Sequence, residues 1–236
     1  MRIQGLQKLT LLDFPEHVAC TVFTAGCNFR CPFCHNASLV VDIPKEAELT
    51  EEKFFEFLEK RKGVLDGVCV SGGEPLLQHG IENFIRKIKE MGYAVKLDTN
   101  GSFPEKLRFL VEEKLIDYVA MDNKMPSTRT WTLPGGAKLF DRFSLSLQAL
   151  EASGLPYEIR TTVHPGLLEE SDLLQMIREC EQLGYRGTYY LQYFFNAGPT
   201  LGNLEPPTRR YDRPLLDKYA PLRIGYRNFP EDRGKN

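Results

Sequence analysis

Short runs of β-branched and apolar residues alternate along the chain with stretches in which apolar residues recur every three or four positions. The runs predict six strands: Val18–Thr24, Gly67–Val70, Ala94–Leu97, Tyr118–Met121, Glu158–Val163 and Thr188–Gln192. The intervening stretches, such as the one with Ile81, Phe84, Ile85 and Ile88, have the spacing of amphipathic helices. This alternation is typical of βα units around a parallel sheet, and six units predict an α/β fold, an incomplete (β/α)6 TIM-like barrel.

The C-terminal segment, residues 196–236, departs from this pattern. It contains six prolines and little apolar periodicity, which is typical of irregular structure. A chain of 236 residues is long enough for one barrel-type domain with a sizeable core. We therefore expect a partial barrel over residues 1–195 and an irregular extension, residues 196–236, packed on it.

The charge of the chain is nearly balanced, with 32 acidic and 30 basic residues. This balance gives no indication of a broad basic surface for nucleic acid or for an anionic membrane. The sequence has no run of eighteen apolar residues, and Met1–Gly5 lacks the apolar core of a signal peptide. These features favour a cytoplasmic protein that binds neither nucleic acid nor membranes.

Polar clusters follow or lie in the predicted strands. In α/β barrels the working residues lie at the carboxyl ends of the strands. The clusters, in chain order, are Ala25–Asn36, Ser71–Pro75, Asp98–Gly101, Asp122–Lys124, Arg160 and Gln192. We therefore expect these groups to share one rim of the barrel, where a functional site would form.

Three cysteines lie within eight residues: Cys27, Cys31 and Cys34. A structural zinc site usually has four protein ligands, whereas an iron–sulfur cube held by three cysteines leaves one iron open for a substrate. The spacing therefore favours a cube, while a zinc-binding interaction module and a pure electron carrier remain as alternatives. The other three cysteines lie in predicted strands or on an apolar helix face, and we expect them to be core residues.

The cysteine spacing, with Phe33 before the last cysteine and His35-Asn36 after it, resembles the cluster-binding loop of radical S-adenosylmethionine (SAM) enzymes. A narrower resemblance covers nearly the whole chain. Gly5–Lys8, Asp13–Pro15 and Ala25–Asn36 are similar to the anaerobic ribonucleoside-triphosphate reductase activating proteins, relatives of pyruvate formate-lyase activating enzyme. The resemblance implies a 4Fe–4S cluster on the three cysteines, with SAM bound at the open iron.

The segment Gly72-Gly73-Glu74 offers backbone groups free of side-chain obstruction and a carboxylate that can accept hydrogen bonds from an ammonium group. By resemblance, it holds the methionyl amine of SAM. The cofactor contacts that the resemblance implies are Phe33, Ser71, Gly72, Gly73, Glu74, Asp98, Asn100, Asp122, Lys124 and Arg160. Related activating enzymes also hold a monovalent cation at positions that match Asp98, Thr99 and Asp122, which offer the hard oxygens such an ion prefers.

The resemblance also implies the reaction. SAM is cleaved reductively to methionine and a 5′-deoxyadenosyl radical, which abstracts hydrogen from a glycine of a partner glycyl-radical enzyme, with anaerobic ribonucleotide reductase as the expected partner. A low-potential donor such as flavodoxin or ferredoxin supplies the electron. The nearest alternative is a radical SAM enzyme that acts on a small molecule, such as a deazapurine-forming synthase. Related activating enzymes carry a histidine where this chain has Phe194, which leaves the adenine and ribose contacts there unassigned.

Overall fold

The computed structural model of the protein describes residues 1–41, 43, 49–132, 138–195 and 198–232. Its strands belong to one sheet with the order β1-β2-β3-β4-β5-β6-β7-β8. The strands are β1 (Ile3–Thr10), β2 (Ala19–Thr24), β3 (Gly67–Gly72), β4 (Ala94–Thr99), β5 (Tyr118–Asp122), β6 (Tyr157–Val163), β7 (Tyr189–Tyr193) and β8 (Ile224–Arg227). Strands β2 to β8 run parallel to their neighbours, and β1 pairs antiparallel with β2.

Helices alternate with most of these strands. They are α1 (Ala37–Val40), α2 (Glu51–Lys60), α3 (Ile81–Glu90), α4 (Pro104–Glu112), α5 (Lys138–Ser153), α6 (Glu170–Gln182) and α7 (Arg213–Tyr219). Short 3₁₀ helices occupy Pro75–Leu77, Ser127–Thr132 and Pro230–Asp232. None of the described helices combines the length and the apolar character that crossing a membrane would require.

The six predicted strands correspond to β2 to β7, so the prediction of an incomplete parallel barrel is confirmed. Among the described strands, β1 and β8 lie at opposite edges of the sheet. The apolar stripe of α3 is also confirmed, because Ile81, Phe84 and Ile85 are at most 1% exposed. A helix with one such apolar stripe is stabilised mainly by burying it against the sheet.

The edge strands β1 and β8 and the C-terminal helix α7 were not predicted from the sequence. Strand β1 has an irregular burial pattern with register shifts against β2, and β8 has only four half-buried residues, so neither shows clear alternation. Helix α7 does carry start signals, since Asp212 accepts a hydrogen bond from Leu215 N and Pro214 lies in the first turn. Within the described residues 198–232, the C-terminal segment thus contains a helix and a strand, while residues 198–212 are irregular.

The alternation of strand residues puts charged side chains inside the barrel. In a strand, successive side chains point to opposite faces, so Lys96 and Asp98 of β4 share one face while Val95 and Leu97 share the other. Val95 and Leu97 are fully buried in the hydrophobic core between sheet and helices. Lys96 and Asp98 instead face the interior of the barrel, where they pair with each other and Asp98 contacts Arg160 of β6.

We expect the C-terminal segment to contribute strongly to stability. Phe229 is 1% exposed, and its ring centroid lies 5.1 Å from that of Tyr193 and 4.9 Å from that of Tyr226. Phe229→Ala should lower the free energy of unfolding by about 3–5 kcal/mol, because it leaves a cavity in this aromatic cluster. Urea denaturation measures the loss. The control Tyr219→Ala, at a position that is 52% exposed, should change it by about 0.5 kcal/mol or less. A similarly small loss in Phe229→Ala would contradict the packing.

Candidate functional site

A cavity of about 260 Å³ lies at the carboxyl ends of the parallel strands, between the cysteine loop and the ends of β3 to β7. The sequence-predicted residues in its wall are Cys27, Cys31, Phe33, Cys34, Ser71, Gly72, Gly73, Asp98, Thr99, Asn100, Asp122, Lys124 and Arg160. Glu74 is the one predicted site residue outside this wall. The structure thus brings the predicted polar clusters together on one rim.

The loop that carries the three cysteines is shaped by its own backbone contacts. The amide of Cys34 donates to the carbonyl of Cys31 at 3.0 Å, and the amide of Phe29 donates to the sulfur of Cys27 at 3.3 Å. The Arg30 guanidinium donates to the carbonyls of Cys27 (2.7 Å) and Phe29 (2.9 Å). These contacts turn the loop so that all three thiols line the same cavity.

Apolar rings surround the thiols. Phe29, Phe33 and Phe194 are 2–7% exposed and form a small cluster with Cys31. This burial raises the pKa of the Cys31 thiol to about 12 and also raises that of Cys27. Any group that binds these sulfurs as thiolates must therefore displace their protons, which couples its binding to pH. All six cysteines are free.

The glycines after β3 allow a close crossing of two backbones. A Cβ atom on Gly73 would lie 2.0 Å from the carbonyl oxygen of Gly26, and one on Gly72, where φ is +128°, would lie 2.2 Å from the amide nitrogen of Thr24. The amide of Gly73 donates to Thr24 O at 3.0 Å, and the amide of Glu74 donates to Gly26 O at 2.8 Å. These two amides therefore hold the cysteine loop, and no residue larger than glycine would fit at positions 72 and 73.

Glu74 is fully buried beneath the cavity wall. Its carboxylate accepts hydrogen bonds from Thr99 Oγ1 (2.8 Å), the amide of Asn100 (2.7 Å) and the amide of Leu76 (3.1 Å). Burial raises its pKa to about 7, although these hydrogen bonds act in the opposite direction. In the structure this carboxylate fixes the loop after β4 through Thr99 and Asn100.

Asn28 connects the cysteine loop to the loop after β4. Its side-chain amide donates to Ser102 Oγ at 2.8 Å, and its side-chain oxygen accepts from Asn100 Nδ2 at 3.0 Å. Ser102 Oγ in turn donates to the Asn100 side-chain oxygen. The sequence analysis did not identify Asn28 as a site residue. In the sequence, only its position directly after Cys27 indicates that Asn28 belongs to the site.

Arg160 lies between two carboxylates of neighbouring strands. Its guanidinium contacts Asp98 Oδ2 at 3.0 Å and Asp122 Oδ1 at 2.9 Å. Asp98 also pairs with Lys96, and Asp122 pairs with Lys124 at 3.3 Å. Lys96 was missed by the sequence analysis, although its position two residues before Asp98 in a strand places both on the same face.

These ion pairs determine the charge state of the cavity. Burial alone would raise the pKa of Asp122, but Arg160 and Lys124 outweigh it and lower that pKa to about 2. The pKa of Asp98 is lowered for the same reason, with burial opposed by Arg160 and Lys96. Three cations thus face two ionised carboxylates. Lys96 does not line this cavity, and Arg160 contacts Asp98, Asp122 and, at 3.9 Å, Glu158. The positive charge available in the cavity is therefore assigned to Lys124, which pairs with Asp122 alone among the described residues.

The side chains expected to hold a monovalent cation make other contacts in the structure. Asp98 and Asp122 are each already paired with two cationic side chains, and the Thr99 hydroxyl donates to Glu74. Within the described ranges, no group of three His, Cys, Asp or Glu side chains is arranged to hold a single metal ion. A cation at Asp98 would therefore have to compete with Lys96 and Arg160.

A segment after β7 crosses the cysteine loop. Leu201 N donates to Cys34 O at 3.0 Å, and Gly202 N donates to Pro32 O at 2.8 Å. A Cβ atom on Gly202 would lie 2.7 Å from Pro32 Cβ, so this contact also requires a glycine. The rings of His35 and Phe194 stack at 5.1 Å on the same side. The sequence analysis did not assign this role to Gly202.

Residues 21–180 match the family model described as the radical SAM superfamily. The match covers more than half of the chain, and the chain belongs to the radical SAM superfamily. Enzymes of this family use a 4Fe–4S cluster and S-adenosylmethionine. The three cysteines in the cavity wall fit the cluster, because they are free, lie side by side and have apolar surroundings.

Several relatives match most of this chain, and activating enzymes are among them by name. A Methanocaldococcus jannaschii protein provisionally named a glycyl-radical enzyme activating enzyme is 29% identical over 187 residues, 76% of this chain and 76% of its own. The pyruvate formate-lyase-activating enzyme of Clostridium pasteurianum is 29% identical over 185 residues, 75% of this chain and 74% of its own. A 7-carboxy-7-deazaguanine synthase of Methanopyrus kandleri, 30% identical over 122 residues, matches only 44% of this chain.

Solved structures of radical SAM enzymes share the fold. Streptococcus suis SuiB bound to the precursor peptide SuiA has a TM-score of 0.66 over 92% of this chain, at 17% identity. The enzyme anSMEcpe with bound S-adenosylmethionine has a TM-score of 0.57 over 84% of this chain, at 15% identity. This chain spans about half of each of those proteins, 50% and 53%. At such low identity the likeness shows the fold alone.

We expect Glu74 to make the free energy of unfolding depend on pH. Burial raises the pKa of its carboxyl to about 7 in the folded chain, from an ordinary value of 4.5. Between these pH values the folded state keeps a proton that the unfolded state has released, so rising pH favours unfolding. Urea unfolding from about pH 5 to about pH 8 should therefore show the free energy of unfolding falling in the wild type relative to Glu74→Gln.

Two variants complete this test. Glu74→Ala leaves the donors of Thr99, Asn100 and Leu76 without their acceptor, which should cost about 2–4 kcal/mol at about pH 5 and less as the pH rises. Glu112→Gln, at an exposed position on α4, should keep the pH profile of the wild type. Identical pH slopes in the wild type and in Glu74→Gln would contradict the raised pKa.

Proposed function

We propose that this protein is a radical SAM activating enzyme that generates a glycyl radical in a partner enzyme. The observation that carries the proposal is the cavity in which Cys27, Cys31 and Cys34 lie beside the cationic side chain of Lys124. Lys124 is close enough to Cys31 to act on the pKa of that thiol. A cluster site and a binding site for an anionic amino-acid group are therefore adjacent.

The three cysteines would hold the 4Fe–4S cluster, leaving one iron without a protein ligand. When bound, the cluster supplies the single electron that breaks the carbon–sulfur bond of SAM. The products are methionine and the 5′-deoxyadenosyl radical. The protein contributes position and a dry surrounding. Phe29, Phe33 and Phe194 exclude water from the thiols.

Lys124 would bind the methionyl carboxylate of SAM, because it provides the positive charge left over from the Asp98–Arg160–Asp122 arrangement. Carbonyl groups of Gly72 and Gly73, whose positions are set by the crossing with the cysteine loop, would accept hydrogen bonds from the methionyl amine. Ser71, Asn100 and Arg160 line the same cavity and would complete the contacts. Phe33 would pack against the cofactor near Lys124, whose Nζ lies 5.8 Å from the ring centroid.

Anaerobic ribonucleotide reductase is the partner that we propose. Two relatives that match about three quarters of the chain are named activating enzymes, which supports a glycine in a protein as the hydrogen donor. The narrower assignment to the reductase rests on the resemblance of Gly5–Lys8 and Asp13–Pro15. A flavodoxin or ferredoxin in the cytoplasm would deliver the electron.

We expect the three clustered cysteines, and no others, to be required for the cluster. Alanine at Cys27, Cys31 or Cys34 should abolish both the cluster and reductive SAM cleavage, since each substitution removes one of three iron ligands. Anaerobic reconstitution followed by iron, acid-labile sulfide and 5′-deoxyadenosine assays measures this. Matched controls are the alanine variants of the fully buried core cysteines Cys20, Cys69 and Cys180. These controls should keep the cluster. Full SAM cleavage in Cys31→Ala, or zinc in place of iron and sulfide, would refute the cluster assignment.

The second test of function identifies the hydrogen donor. The reduced protein is mixed with SAM and with an anaerobic ribonucleotide reductase, and electron paramagnetic resonance should show a glycyl radical doublet. Labelling the reductase with α-deuterated glycine should collapse that doublet, because the splitting comes from the remaining α-hydrogen. A radical in another glycyl-radical enzyme, with none in the reductase, would overturn the specific partner. Consumption of a small molecule such as a deazapurine precursor would overturn the activating function.

A further inference from the structure

A second cavity, of about 660 Å³, lies between the two edges of the sheet. Its outer wall is formed by Leu12 and Asp13 after β1 and by Asn228 after β8. Its inner wall includes Arg160 and Gln192, which also line the cavity with the cysteines. The two cavities therefore meet at these two side chains, and the second one leads from the open side of the barrel to the candidate cofactor site.

The cations in the wall of this second cavity are already neutralised. Arg227 donates to both carboxylate oxygens of Glu158, each at 2.8 Å. Lys96 pairs with Asp98, and Arg160 pairs with Asp98 and with Asp122. An anionic substrate would have to break one of these pairs, and the desolvation of the released carboxylate would oppose its binding. The wall consequently favours a substrate segment without net charge.

Gln192 differs from the charged residues around it. In β7 it lies opposite Thr162 of β6 and Arg227 of β8. Its carboxamide makes no hydrogen bond to any residue that the structure describes, whereas the charged side chains beside it are paired. A carboxamide carries a donor and an acceptor side by side, and an extended residue presents its own backbone N–H and C=O on one side of the chain. The side chain can therefore bind the N–H and the C=O of one extended substrate residue through two hydrogen bonds.

We propose that Gln192 binds the backbone N–H and C=O of one extended substrate residue where the two cavities meet, and so determines which α-carbon faces the cofactor site. The proposal rests on the proposed function and deepens it, since it specifies an uncharged backbone segment as the group recognised. The segment enters between the β1–β2 loop and β8. Gln192 is a positioning residue in this scheme, and it takes no part in electron or hydrogen transfer.

The test uses reconstituted protein with SAM, a reductant and acetyl-Ala-Gly-Ala-amide whose glycine is α-deuterated. Transfer of deuterium into 5′-deoxyadenosine reports that the glycine α-carbon has reached the radical. Gln192→Ala should raise the KM for the peptide about tenfold, which corresponds to the loss of two neutral hydrogen bonds. Gln148→Ala, at an exposed glutamine on α5, should leave this KM unchanged.

Ester analogues separate a direct contact from a structural effect. Two analogues replace the amide N–H with oxygen, one at the glycine and one at the following alanine. In the wild type one of them should raise the KM several-fold, whereas Gln192→Ala should not distinguish that ester from the amide. Gln192→Glu keeps its acceptor oxygens, so it should still discriminate against that ester. This pattern requires a hydrogen bond between Gln192 and the substrate backbone.

The outcomes separate this inference from the proposed function. Equal ester effects in the wild type and in Gln192→Ala would overturn the role of Gln192 while leaving the proposed function in place. SAM cleavage without any deuterium transfer from peptide or partner protein would overturn both. Faster turnover of an anionic small molecule than of the peptide would contradict the uncharged-substrate assignment directly.

Discussion

The crossing of two backbones at Gly26 and Gly73 is the contact on which the site depends. It joins the end of β3 to the loop that carries the cysteines, through the amides of Gly73 and Glu74. A Cβ atom at Gly72 or Gly73 would fall within 2.2 Å of the opposing backbone, so the approach is closed to every other residue type. Because backbone atoms cannot move aside as a side chain can, this contact fixes the cysteines relative to the sheet.

A second constraint comes from charge inside the barrel. Burying Asp98, Asp122 and Arg160 is costly, and such a group is tolerated only when the charges are paired and their hydrogen bonds satisfied. Here each carboxylate contacts Arg160 and one lysine, Lys96 or Lys124. The ion pairs therefore hold these side chains in place before any ligand binds. The register of the sheet determines the pairing of Asp122 with Arg160, because these residues lie directly opposite one another in β5 and β6.

Much of this arrangement could be predicted from the sequence. Six strands have enough β-branched residues to be identified. Because the functional residues of α/β barrels lie at the carboxyl ends of the strands, the polar clusters could be predicted to share one rim. Strand β8 could not be predicted, because its four residues have no alternation and it forms by pairing with β7. The orientation of the Glu74 side chain could not be predicted from the sequence either. Its partners Thr99 and Asn100 lie about 25 residues away, so its orientation depends on tertiary packing.

The contact between Gly202 and Pro32 has a consequence for how the protein is assembled. The two residues lie about 170 positions apart, so the backbone that covers the cysteine loop is made long after the loop itself. During synthesis the loop leaves the ribosome uncovered, and it stays so until this late segment has folded back. Closing so long a loop carries an entropic cost that only the completed sheet can offset. Completion of the site is thus coupled to completion of the chain, and a truncated chain that ends before Gly202 would lack the backbone that covers Pro32.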